Sequence, residues 1–173
     1  MTGLSITLDT TCIIDLTEYP PTEFREAMEK LLILARQGSL DVAVTTRVEA
    51  EAKHPSTVEA YRRLIDSGTI KIIPSTTRLG YWKLGVDILP DENVWKSISR
   101  AVFPARNPET LFRPKTAQTK GIVDVDHLYG HLCSKRDFFV TRDGDITRAS
   151  IALAALRIQV RSPQELVTYD SWR

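Results

Sequence analysis

The sequence predicts an α/β fold with a central, mainly parallel sheet of about five strands flanked by helices. Short apolar runs with strand character alternate with amphipathic helical segments, as expected when parallel strands are joined by helical crossovers. The chain has 173 residues, of which 42% are hydrophobic, enough for one compact core. We therefore assign residues 1–173 to a single domain.

The expected elements follow one another in order. Strands are predicted at residues 4–8, 40–45, 69–74, 138–141 and 158–162. Helices are predicted at residues 20–38, 47–53, 56–68, 92–102, from about Val125 to the fourth strand, and at 148–156. Ser162, Pro163 and Glu165 predict the N-cap, first residue and capping box of a last helix. Residues 75–120 are less regular and form an extended basic segment.

The composition indicates where in the cell the protein is expected but does not identify its partner. A net charge of +1 gives no global argument for a polyanionic partner. Cys12 and Cys133 lie in apolar periodic segments, where a reduced thiol behaves as a small hydrophobe. No apolar run approaches the roughly 20 residues that a membrane span needs, and the N-terminus lacks signal-peptide features. We expect a soluble cytoplasmic protein without a membrane partner.

Acidic residues occur where strands and helices meet. Asp9 leaves the first strand, and Asp143 follows the fourth. Ligand sites in parallel sheets lie outside the carboxyl ends of strands, where the strand order reverses, so these carboxylates face one crevice if the two strands are neighbours. We place Glu49 in the helix after the second strand and Asp126 at the start of the helix before the fourth. The sequence thus predicts four carboxylates at one edge of the sheet.

Four clustered carboxylates need a cation. They repel one another, and burial raises their pKa values unless positive charge compensates. Mg²⁺ and Mn²⁺ prefer oxygen ligands, whereas zinc sites are typically built from cysteine and histidine. Such an ion activates water for attack on phosphorus, so that phosphodiester hydrolysis needs no protein nucleophile.

Each feature also has a structural explanation. Asp9 and Asp126 could be helix N-caps, TRDGD could be an Asp-Gly turn, and Glu49 could be solvated. His127 and His131, four residues apart on a helix, could form a metal pair, although one surface and one core-edge histidine is the simpler account. A glycine within a helix is unfavourable, so Gly130 predicts a close packing contact.

The order of the motifs LDTTCIID, TRVE, DHLYGHLC and FVTRDGD resembles that of the PIN-domain nucleases, and RIQVRSPQEL is similar to the family's last strand and helix. The resemblance covers most of the chain outside residues 75–120. Position by position it implies that the metal is held by Asp9, Glu49, Asp126 and Asp143. It also matches supporting positions to Thr10, Thr141 and Asp145, with Asp124 as an additional acid.

The resemblance implies a Mg²⁺- or Mn²⁺-dependent endoribonuclease acting on RNA, which we expect to be single-stranded. Small family members are often toxins held by an antitoxin protein, and often homodimers, while others process ribosomal RNA. The basic segment favours contacts with the phosphate backbone, with Phe103 or Phe112 stacking a base. The expected substrate-binding residues are Arg106, Arg113, Lys115, Lys120 and His131.

Three alternatives stay open. The chain could be a catalytically silent PIN-like module that binds nucleic acid or protein. It could be a metal-dependent phosphohydrolase with Asp9 as nucleophile, although Thr11 stands where that class has a second acid. The DxD pair of VDVDH also suits a topoisomerase-primase-like metal site, in which the acids should follow a strand directly.

Overall fold

A computed structural model describes residues 3–18, 20–52, 54–77, 86–112 and 120–169. Its five strands form one sheet in which every neighbouring pair is parallel, in the order β3-β2-β1-β4-β5. The strands are β1 (Leu4–Leu8), β2 (Leu40–Thr45), β3 (Lys71–Ile73), β4 (Phe138–Val140) and β5 (Val160–Arg161). The predicted α/β class with a parallel sheet of five strands is confirmed.

Helices connect the strands and cover the sheet. In chain order they are α1 (Thr10–Asp15), α2 (Glu23–Arg36), α3 (Val48–Glu51), α4 (Pro55–Asp66), α5 (Glu92–Val102), α6 (Pro108–Phe112), α7 (Lys120–Cys133), α8 (Gly144–Arg148), α9 (Ser150–Ala155) and α10 (Pro163–Val167). Within the described ranges, no helix combines the length and apolarity needed to cross a bilayer.

The sheet separates two apolar clusters because successive strand residues point to opposite faces. Ile6, Leu8 and Val44 pack on one face with residues of α1, α2, α4 and α10. Phe139 and Val160 pack on the other face with residues of α5, α7 and α9. Helix α7 therefore lies on the face that is opposite to α2, a placement that decides which of its side chains meet the sheet.

The strand order reverses between β1 and β4. Strand β1 pairs with β2 on one side and with β4 on the other, and Leu8 is in register with Val140. The first and fourth strands are thus neighbours in the sheet, as the predicted site requires. Since both strands run in the same direction, the segments that follow Leu8 and Val140 leave the sheet side by side at its carboxyl edge.

Several boundaries differ from the sequence prediction. Helix α7 begins at Lys120 rather than near Val125. Its start is hidden in the sequence by Gly121, a weak helix former. A β-carbon at Gly121 would lie 2.6 Å from Nη1 of Arg106, which is flexible and can move aside, and 3.0 Å from the buried Phe103 ring, which makes this a tight packing position.

Two further differences concern short helices. Helices α6 and α8 were not predicted, and the helix expected at residues 148–156 is observed as α9, Ser150–Ala155. The predicted capping box of the last helix is confirmed, with Ser162 and Glu165 hydrogen-bonded to each other's backbone. Residues 78–85 and 113–119 of the basic segment lie outside the described residues.

Helix α7 approaches the sheet closely at Gly130. A β-carbon at this position would lie 2.4 Å from the carbonyl oxygen of Pro74 and 3.2 Å from Cγ2 of Thr45. The predicted packing contact is therefore confirmed. It brings the residues that precede Gly130 on α7 next to the carboxyl ends of β2 and β3.

Candidate functional site

Asp9 is held at the junction of β1 and β4. Its Oδ1 accepts a hydrogen bond from the backbone N–H of Thr10 at 2.8 Å, so Asp9 is the N-cap of α1. Its Oδ2 accepts from the hydroxyls of Thr11 at 2.8 Å and of Thr141 at 2.7 Å. The side chain is almost fully buried. These three hydrogen bonds fix its orientation.

Asp143 lies beside Asp9 through the same threonine. The backbone N–H of Asp143 donates to the Thr141 hydroxyl at 2.9 Å, and that hydroxyl in turn donates to Asp9. Oδ1 of Asp143 accepts from the backbone N–H groups of Asp145 at 2.8 Å and Ile146 at 3.2 Å, which makes Asp143 the N-cap of α8. Asp9 and Asp143 thus cap helices and also meet at the carboxyl edge of the sheet.

Glu51, and not Glu49, is the acid of α3 that faces this edge. Oε2 of Glu51 accepts a hydrogen bond from the Thr10 hydroxyl and lies 2.8 Å from Nε2 of His127. Glu49 is exposed. Val48, at the start of α3, is fully buried, and residues three apart share a helix face. Glu51 therefore points inward with Val48 while Glu49 points outward, so the structure places Glu51 rather than the predicted Glu49 beside Thr10 and His127.

A similar correction applies to α7. Asp126 is fully buried, and its carboxylate receives hydrogen bonds from Nη2 of Arg47 and Nε1 of Trp95, each at 2.8 Å. It lies inside α7 and is neither a helix cap nor a residue of the site. Asp124 is about 200° around the helix from Asp126 and faces the other acids. The structure therefore replaces Asp126 with Asp124.

Asp124 is the most strongly perturbed acid of this group. Burial raises the pKa of its carboxyl to about 7, and the charges of Asp9, Asp143 and Glu51 contribute in the same direction, whereas His127 lowers it. Its Oδ2 is buried and has no hydrogen-bond partner in the described parts of the chain. Among the described residues, His127 therefore offsets the charge of the ionised Asp124 carboxylate only in part.

His127 is a residue of this site that the sequence analysis considered only for a metal pair with His131 and did not place among the site residues. It is fully buried, and its Nε2 lies 2.8 Å from Glu51 Oε2 and 3.2 Å from the Thr10 hydroxyl. Burial alone lowers the pKa of its imidazole, but the hydrogen bond and charge of Glu51, with Asp9 and Asp124, raise it overall. The sequence signal was its spacing of three residues from Asp124, which places both on one face of α7.

His131 does not belong to the site. It is fully buried, its Nδ1 lies 2.9 Å from the Thr7 hydroxyl, and its ring packs edge-on against Phe139 at 5.6 Å. Burial lowers the pKa of its imidazole to about 3. Its predicted contact with substrate is wrong, because it faces β1 from inside the core. The expectation of one surface and one core-edge histidine is also wrong, because His127 and His131 are both fully buried.

The remaining residues of the predicted site either lie at the surface, are buried, or fall outside the described residues. Asp145 pairs with Arg148 and turns toward solvent. Arg106 is exposed and makes no ion pair within the described residues, and its guanidinium lies 4.5 Å from the centre of the Phe103 ring. Phe103 is buried under this contact and has no open face for a base. Arg113, Lys115 and the side chains of Lys120 and Phe112 lie outside the described residues.

The acids partly fit a divalent cation. Across the described ranges, no group of three or more histidine, cysteine, aspartate and glutamate side chains is arranged to hold a metal ion as it stands. The unpartnered, buried Oδ2 of Asp124 is nevertheless a hard oxygen in a negative environment, the type of ligand that Mg²⁺ and Mn²⁺ select.

Neither a scan against models of protein families nor a search of curated proteins finds a match for this sequence. A functional assignment therefore depends on the geometry of these residues.

The raised pKa of Asp124 predicts a pH-dependent effect of Asp124→Asn. The carboxyl titrates near 4 when the chain is unfolded and near 7 when it is folded, so its ionisation destabilises the fold progressively between these pH values. Without divalent ions, Asp124→Asn should therefore increase the free energy of unfolding at pH 8, by up to about 4 kcal/mol, and change it little at pH 4. Urea unfolding in EDTA at both pH values measures this.

Asp126→Asn is the matched control on the same helix. It should lower the free energy of unfolding at pH 8 by about 3 to 5 kcal/mol, because it leaves the buried Arg47 without its counter-charge. Equal effects of the two substitutions at pH 8 would contradict the assignment of Asp124 to the site and Asp126 to the core.

Proposed function

We propose that this chain is a PIN-like, Mg²⁺- or Mn²⁺-dependent endoribonuclease whose metal-binding residues are Asp9, Glu51, Asp124 and Asp143. The observation that carries the proposal is the convergence of four carboxyl groups on one sheet edge, from the ends of β1 and β4 and from α3 and α7. At this edge one oxygen of Asp124 has no hydrogen-bond partner among the residues that the structure describes. The order of the motifs supports the same function, although Glu51 and Asp124 each lie two residues from Glu49 and Asp126, the positions that the resemblance matched to the metal.

The protein's own residues prepare the site in three ways. Asp9 is held rigidly by three hydrogen bonds, and Thr141 couples its position to that of Asp143. Glu51 is anchored through one carboxylate oxygen, Oε2. Asp124 would hold the ion through its buried carboxylate, whose ionised form a cation would stabilise. The ion would supply an activated water and would offset the charge that develops on the phosphate.

Arg106 is the residue that we propose for backbone binding. Its Nη1 lies beside Gly121, and Gly121 precedes Asp124 by three residues on α7, so that both share one face of the helix. An exposed guanidinium within about one helical turn of the acids can hold a phosphate next to the cleaved one. The preference for single-stranded RNA is taken from the resemblance.

A silent PIN-like module that binds nucleic acid or protein is the second candidate. It is favoured by the absence, in the described part of the chain, of a group already arranged to hold a metal. A phosphohydrolase with Asp9 as nucleophile is less well supported, because both oxygens of Asp9 already accept hydrogen bonds. The DxD site is also disfavoured, because Asp124 and Asp126 face opposite sides of α7.

We also propose a cytoplasmic location and two kinds of protein partner. Cys12 and Cys133 are not in disulfides, in agreement with a cytoplasmic location. An antitoxin-like protein inhibitor and a homodimer are partners that the resemblance suggests.

Paired substitutions on α3 test the proposed nuclease. Labelled single-stranded RNA incubated with the full chain should be cleaved with Mn²⁺ and left intact with EDTA. Glu51→Gln should lower the cleavage rate by at least about 100-fold, because it removes a charge from the site. Glu49→Gln, two residues earlier on the same helix, should leave the rate within about twofold, the difference expected for an exposed position.

Asp9→Asn and Asp143→Asn should abolish cleavage in the same assay. Cleavage that persists in both variants would refute the site. RNA binding without cleavage at every Mn²⁺ concentration would instead favour the silent module.

Arg106→Ala tests the proposed contact with the backbone. It should raise KM several-fold with little change in kcat, and it should reduce the salt dependence of RNA binding by about one phosphate contact. Arg36→Ala is the control, because Arg36 is exposed at the end of α2, immediately before β2 begins, and so lies at the opposite edge of the sheet. Equal changes in both variants would show that Arg106 acts only through net charge.

A further inference from the structure

Helix α7 carries two buried histidines with similar anchors. His127 and His131 are four residues apart, and both are fully buried. Nδ1 of His127 lies 2.5 Å from the hydroxyl of Thr45 in β2, and Nδ1 of His131 lies 2.9 Å from the hydroxyl of Thr7 in β1. One side of each ring is therefore held by a threonine of the sheet.

The two rings differ on their other side. Nε2 of His127 lies 2.8 Å from Oε2 of Glu51, whereas Nε2 of His131 has no hydrogen-bond partner within the described residues. Because a carboxylate only accepts hydrogen bonds, His127 donates to Glu51. Thr45 and His127 thus form a buried connection from the end of β2 to the acid of α3.

The Glu51 side chain needs a contact of this kind to hold its carboxylate in one position. Helix α3 is a single turn, and Glu51 is its last residue. The side chain has three rotatable bonds and is about one quarter exposed, so the backbone alone does not fix its carboxylate. His127 and Thr10 both bind Oε2, and Oε1 makes no hydrogen bond in the described structure. This arrangement leaves one oxygen of Glu51 for a ligand at the sheet edge.

We infer that His127 is a positioning residue that holds Glu51 in place for a divalent cation, with Thr45 fixing the imidazole from behind. The inference rests on the proposed function, since it requires Glu51 to be a metal ligand. It assigns to His127 no contact with the substrate and no proton transfer. Hydrogen-bonded partners of metal ligands commonly have this orienting effect.

The experiment measures the affinity of the full chain for Mn²⁺ alone, by electron paramagnetic resonance of the unbound ion, at pH 8. His127→Leu should weaken Mn²⁺ binding about tenfold or more. His127→Gln should restore much of the loss, because its amide can still donate a hydrogen bond to Glu51. Thr45→Val should weaken binding to a smaller extent, because the ring loses its anchor.

The second histidine supplies matched controls. His131→Leu and Thr7→Val remove a ring of the same type and its threonine from the same helix and sheet, without touching Glu51. They should leave Mn²⁺ affinity unchanged, while their effects on thermal stability should be similar to those of the His127 and Thr45 variants. Equal Mn²⁺ affinity of wild type and His127→Leu would overturn the inference.

Failure to fold does not remove the test. If His127→Leu does not fold, the comparison of Thr45→Val with Thr7→Val decides, and equal losses of affinity in the two would overturn the positioning role. Wild-type protein that binds no Mn²⁺ would overturn the proposed function together with the inference. Wild-type protein that binds Mn²⁺, with unaffected His127 and Thr45 variants, would overturn the inference alone.

Discussion

At the carboxyl edge of the sheet, Asp9, Glu51, Asp124 and Asp143 lie close enough for their charges to act on one another, although burial makes each negative charge costly. Threonine hydroxyls, helix N-termini and His127 compensate part of this charge. They leave most of the charge of Asp124 uncompensated, because burial and the neighbouring acids raise the pKa of its carboxyl to about 7 although His127 lowers it. This uncompensated charge is what a hard divalent cation would remove, and the proposed chemistry depends on it.

A buried ion pair decides which acids face this edge. Arg47 lies immediately before α3, Asp126 lies in α7, and Trp95 of α5 binds the same carboxylate. Because this network fixes the rotation of α7, it turns Asp124 to the opposite side, toward the site. The close contact of Gly130 with Pro74 sets the depth at which α7 lies on the sheet. The charged core residue Asp126 thus positions Asp124, the proposed metal ligand two residues away.

Much of the fold could be predicted, because strand periodicity, Pro and Gly positions and the capping box at Ser162 are local signals. Asp9 and Asp143 could also be predicted, since the ends of parallel strands are easy to locate. The choice between Glu49 and Glu51, and between Asp124 and Asp126, could not. Each choice needs the rotation of a helix, which depends on tertiary contacts such as the burial of Val48 and the partner of Asp126.

The most direct measurement is the location of Mn²⁺ in crystals grown at pH 8, from its anomalous scattering. The account predicts one or two peaks between the carboxylates of Asp9, Asp124 and Asp143, within ligand distance of Oε1 of Glu51 or bridged to it by water. Absence of a peak at saturating Mn²⁺, or a peak bound by Glu49 on the outer face of α3, would contradict it.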